Sequence, residues 1–128
     1  MGDPCLQTFT AGEAMTTPRG LPVRVSAANT VVLCDGVSDA EDAIGVINQD
    51  EDVASGGEVR VAVIGAPRLY KAGATITAGT HQWLVTEATT GRVKPGASTE
   101  EACALFLGKR DAADGDLCYA IPARHRIP

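Results

Sequence analysis

An internal repeat constrains this chain more than any other feature of its sequence. Ala72-Gly73-Ala74-Thr75-Ile76-Thr77-Ala78-Gly79 echoes Ala11-Gly12-Glu13-Ala14-Met15-Thr16 at an offset of 72 − 11 = 61 residues, close to half of the 128 present. Similar landmarks follow each copy in the same order. Ala43-Ile44 recurs as Ala104-Leu105, and Cys34-Asp35-Gly36 as Lys94-Pro95-Gly96. Gly57-Glu58-Val59-Arg60-Val61-Ala62-Val63 recurs as Gly115-Asp116-Leu117-Cys118-Tyr119-Ala120-Ile121, at an offset of 115 − 57 = 58. A three-residue deletion between Asp50 and Gly115 accounts for the change. One supersecondary unit used twice is the reading such self-similarity supports. Each half is too short for a comfortable core of its own, so the two should share one core within a single domain.

The unit is built from strands. Val59, Val61 and Val63 alternate with Arg60 and Ala62, as in a half-buried strand. Shorter runs at Leu21-Pro22-Val23-Arg24-Val25-Ser26 and Thr30-Val31-Val32-Leu33-Cys34 are punctuated by Asp35-Gly36, a turn dipeptide. Arg68 to Lys71 is a short crossing strand into the second copy. Gln82-Trp83-Leu84-Val85-Thr86 and Gly91-Arg92-Val93-Lys94 then replace the first two strands. Ser38-x-x-Glu41 and Ser98-x-x-Glu101 match helix capping boxes. Glycine and β-branched residues in Ile44-Gly45-Val46-Ile47 limit any helix to about one turn. The expected fold is mostly β: a compact β-barrel-like or β-clip-like domain of two similar halves, with at most short helical turns. Residues 1–9 read as an N-terminal arm, because Pro4 interrupts pairing and Leu6 and Phe9 are isolated apolar residues. The domain spans residues 10–121, with halves at about 10–65 and 66–121, and residues 122–128 form a tail.

Little in the sequence points to chemistry. With 11 basic and 16 acidic residues and a net charge of −5, the chain lacks the clustered cations that bind a phosphate backbone. Its few aromatics offer no base-stacking platform. No apolar run approaches the span of a bilayer. Met1-Gly2-Asp3-Pro4-Cys5 lacks the basic and apolar regions of a signal peptide, so a chain made in the cytoplasm is expected. In that setting Cys5, Cys34, Cys103 and Cys118 read as free thiols rather than as two disulfides or a zinc site. His81 and His125 have no nucleophile elbow to serve, and no phosphate loop occurs. No cofactor is expected. Asn48-x-Asp50-x-Asp52 places oxygens at alternate positions, as calcium sites do, but Val53 and Val59 stand where a helix–loop–helix site needs Gly and Glu. A solvated turn is the plainer reading. Trp83 is the only tryptophan. It fits a packing position on a strand or, alternatively, a binding hot spot.

Ala11-Gly12-Glu13, Asp42-Ala43-Ile44-Gly45-Val46 and Ala54-Ser55-Gly56-Gly57-Glu58-Val59-Arg60-Val61 occur in an order that resembles a known family. Tyr70-Lys71-Ala72-Gly73-Ala74-Thr75-Ile76-Thr77-Ala78-Gly79, followed by Thr90-Gly91-Arg92-Val93, continues it. Over roughly residues 7–121 the chain resembles the small capsid decoration, or cement, proteins of tailed phages. It departs from them in its four cysteines, in Phe106 where the first copy has Gly45, and in the Arg124-His125-Arg126 tail. The resemblance implies a non-enzymatic virion protein on the outer surface of the expanded capsid. There it would bridge subunits of the major capsid protein, often as a trimer and in other cases as a dimer or monomer. Leu6 and Phe9 on the arm, Asp50, Asp52 and Gly79 in loops, and Trp83 are the candidate contact residues. The alternative is a small β-clip module that binds a carbohydrate, with Trp83 in its groove, or assists assembly.

Overall fold

The computed structural model describes residues 6–35, 42–63, 67–79 and 83–127, apart from the Arg124 side chain, and in them the extended regular structure is β-strand, linked by turns. The first half contributes β1 (Leu6–Ala11), β2 (Pro22–Ala27), β3 (Thr30–Leu33), β4 (Ala43–Ile47) and β5 (Glu58–Val63). They close into a barrel in the order β1-β3-β2-β4-β5, with β5 returning to β1. The second half contributes β6 (Arg68–Lys71), β7 (Trp83–Thr86), β8 (Val93–Pro95), β9 (Glu101–Phe106) and β10 (Leu117–Arg126), in the order β6-β10-β9-β7-β8. Each strand has its counterpart five places later, so both halves follow the same ring. The second ring is nearly open between β6 and β8. The parallel pairing of β1 with β3 survives there as one parallel bridge, Ala72 to Val93.

Backbone hydrogen bonds repeat with the strands. The Gly12 N–H donates to the Val31 carbonyl (2.8 Å) and the Gly73 N–H to the Val93 carbonyl (2.7 Å). The Gly56 N–H donates to Ala11 and the Gly115 N–H to Ala72, both at 2.8 Å. Gly56 (φ +86°) and Gly115 (φ +90°) hold the left-handed conformation that makes this turn, which a side chain would strain.

These pairings correct the sequence alignment of the halves. β1 and β6 are offset by 72 − 11 = 61, β3 and β8 by 93 − 31 = 62, and β5 and β10 by 118 − 59 = 59. Gly115 therefore matches Gly56 rather than Gly57. Phe106 matches Ile47, and Ala104 rather than Phe106 stands where the first half has Gly45. The three-residue shortening lies between the third and fourth strands of the unit, before Asp50.

The corrected register makes the interiors correspond. Ala11, Met15, Val23, Val31, Ile47, Val53, Val59 and Val61 fill the closed barrel. Ala72, Ile76, Leu84, Val93, Phe106, Ala112, Cys118 and Ala120 take the same places in the second core. That second core also includes Cys34, Ala43, Val46 and Ala62 of the first half. Tyr70 is its largest fully buried side chain. Gly20 (φ +87°) sits at the seam, where a Cβ would come within 2.6 Å of the Lys71 nitrogen.

Three other expectations are corrected. Leu6 to Thr10 pair with β5, so these residues are a barrel strand and not an arm; Pro4 lies outside the described residues. β10 runs to Arg126, pairing His125 with Ala102 and Arg126 with Glu101 across a bulge, so most of the expected tail is strand. Glu101 starts β9 and pairs with Arg126 (2.8 Å) instead of capping a helix. The Ser38 box, Cys5 and His81 lie outside the described residues.

Candidate functional site

The alternation of β10 brings two large apolar side chains to the surface. Cys118 and Ala120 point into the core, whereas Leu117 and Tyr119 face outward, 39% and 57% exposed. Val25 is the third exposed large apolar side chain among the described residues.

Each side of this ridge has a groove. Toward β6, Lys71 lies opposite Leu117. Its backbone N–H donates to the Gly20 carbonyl (2.8 Å) and its Nζ to the Thr17 carbonyl (2.5 Å), stitching the first half's turn to the second half. Burial, with nearby Arg92, lowers the Lys71 pKa, while Asp50 opposes the shift. Thr17, Arg19, Asp50, Lys71, Gly115 and Leu117 line a groove of about 260 Å³ at this seam. Toward β9, a groove of about 290 Å³ has Phe106, Leu107, Cys118 and Tyr119 in its walls and Lys109, Arg110 and Asp111 beside them.

The loops flanking the ridge are counterparts in the repeat. The Asp52 Oδ1 accepts the Thr17 N–H at 2.8 Å, and the Asp111 Oδ1 accepts the Ala78 N–H at 2.8 Å. The donors are 78 − 17 = 61 residues apart and the acceptors 111 − 52 = 59, as the strand offsets require. The two positions before the shared aspartate reverse their charge. Asp50 and Glu51 in the first half stand where Lys109 and Arg110 stand in the second.

Asp50 accepts the Arg19 Nε–H at 2.6 Å, and Asn48 accepts from the same guanidinium at 3.1 Å. The Asn48-x-Asp50-x-Asp52 pattern thus holds an arginine and a backbone amide of the neighbouring turn. No group of three metal-ligating side chains forms among the described residues. Gly79, exposed with φ +77°, is at a turn beside Gly108 and next to the Ala78 amide that Asp111 fixes. Trp83 is partly buried and stacks on His125, ring centroids 4.1 Å apart and 19° between planes. That stack takes one face of the indole that a sugar would need. Leu6 packs against the shared core and Phe9 against the barrel core.

The structure therefore groups Asp50 with Asp52, ties Gly79 to the loop carrying Asp111, and leaves Leu6, Phe9 and Trp83 in other packing roles. Sequence reasoning missed Leu117, Tyr119, Lys109 and Arg110. The repeat would have found them at the offset of 59, because Tyr119 then falls on the outward position of Arg60. Burial raises the Cys103 thiol to about 12 and the Cys118 thiol to about 11. It also raises the Tyr70 phenol, with Cys103 next in effect. These groups are held neutral in the core, the opposite of an activated nucleophile.

No protein-family profile matches the chain. No curated protein matches it either. Among solved structures it is similar to the head fiber gp8.5 N base of bacteriophage phi29, with a TM-score of 0.60 at 18% identity. The likeness is one of fold. It covers 96% of this chain and 97% of that one, so both halves are included.

Proposed function

We propose that this chain is a non-enzymatic structural protein of a phage virion, seated on the outer surface of the capsid and bridging subunits of the major capsid protein. The observation that carries this reading is the likeness to the phi29 head-fiber base over 96% of this chain and 97% of that one. The order of small-residue turns shared with capsid decoration proteins supports it from the sequence. A ligand that binds only the assembled lattice stabilises that lattice by mass action, which needs surface and no chemistry. The phage origin and the capsid partner belong together in this reading.

The test adds purified protein to expanded capsids that lack it, followed by sedimentation and electron cryomicroscopy. Co-sedimentation at saturating stoichiometry, external density across subunit boundaries and a raised capsid melting temperature are expected. Protein that stays in the supernatant and leaves capsid melting unchanged refutes the proposal.

A further inference from the structure

We propose that the ridge of β10 and its two flanking loops form a contact between copies of this chain, the acidic loop of one copy meeting the basic loop of another. Three observations support it. Leu117 and Tyr119 give the face an apolar centre on one strand. Lys109 and Arg110 are exposed, have no ion-pair partner among the described residues, and stand beside a groove with apolar walls. Their repeat counterparts include Glu51, also exposed and without an ion-pair partner among the described residues.

The two loops lie on opposite sides of the ridge; in the first, Asp50 is held by Arg19 and Asp52 by the Thr17 N–H, which leaves Glu51 as its free acid. β10 runs between β6 and β9. On the β6 side, Lys71 carries the first half's Thr17 turn, to which Asp52 is bonded. On the β9 side, the strand leaves Phe106 directly into the loop of Lys109 and Arg110. An apolar centre between opposite charges complements a second copy of itself. A two-fold pair satisfies both loops at once, and a closed ring satisfies one acidic and one basic loop at every contact. Identical loops in the two halves would set like charge against like. The inference does not depend on the capsid reading, because its test uses no capsid.

The test is sedimentation velocity on the full chain up to about 100 µM, where contacts of micromolar strength are populated. A dimer or closed trimer that loosens in high salt is expected. Lys109→Glu with Arg110→Glu should weaken association by about ten-fold or more, and so should Glu51→Lys. The variant carrying all three changes should recover much of that loss. Leu117→Ser with Tyr119→Ser should leave a monomer. These side chains are on the surface, so circular dichroism should show every variant folded. A wild-type monomer at the highest concentration overturns the proposal. So does association indifferent to salt, unchanged by the charge reversals, or no better in the triple variant than in either partial one.

Discussion

Asp52 and Asp111 hold the same place in the two halves, each accepting a backbone N–H from the preceding turn at 2.8 Å. Replacing either by Ala should cost roughly 0.5–1.5 kcal/mol, and the two losses should be similar, as read by urea unfolding. The buried thiols set an upper pH limit. An ordinary thiol near 9 ionises in the unfolded chain, whereas Cys103 in the fold is pushed up to about 12 and Cys118 to about 11. Both states are protonated below about pH 9, so the thiols impose no pH slope there. Above it the unfolded state has lost protons that the native state keeps, so stability falls as pH rises toward the folded values. The urea midpoint at pH 10.5 should lie below that at pH 7, and Cys103→Ala should reduce this difference. At this scale the sequence showed each charge but not its counterpart. Asp50 and Lys109 become comparable only once the strands fix the offset.

The strand most at odds with its sequence is β1. Residues 1–9 read as an arm because Pro4 cannot pair and Leu6 and Phe9 stand alone. Yet the repeat already held the answer: Leu69-Tyr70-Lys71 precedes Ala72-Gly73 as Thr8-Phe9-Thr10 precedes Ala11-Gly12. A strand before one copy requires a strand before the other. The register error has an equally local cause. Gly56 and Gly57 are adjacent, and composition does not separate them; the positive φ that Gly56 shares with Gly115 does. A slip of one residue turns every side chain to the other face of a strand. It would have set buried Val59 against exposed Leu117. Because β1 closes the barrel between β3 and β5, and Phe9 pairs with Val59 and packs against the barrel core, Phe9→Pro should lower the urea midpoint. An unchanged urea midpoint would mean that the strand does not close the barrel in solution.

Across the whole molecule, a shared core was legible from the shortness of each half, whereas its make-up was not. The first half fills its own barrel and also lends Ala43, Val46 and Ala62 to its neighbour's core. No alternation pattern announces a strand buried on both faces, since such a strand reads as a plain apolar run. Val46→Ala should therefore lower the unfolding midpoint reported by Trp83, which lies in the other half, at a cost of roughly 1–3 kcal/mol. Amide exchange should show both halves losing protection together; two separate transitions would refute the joint core. The reversed loops have a consequence for inheritance. A unit copied inside one gene keeps what its fold requires, here the aspartate that fixes the turn, and is free to rewrite the neighbouring codons. A single ancestral unit could show only one sign of charge at that loop. The doubled chain encodes both signs in one message, so in the proposed self-contact a mutation that strengthens one side finds its mate on every other product of the same gene.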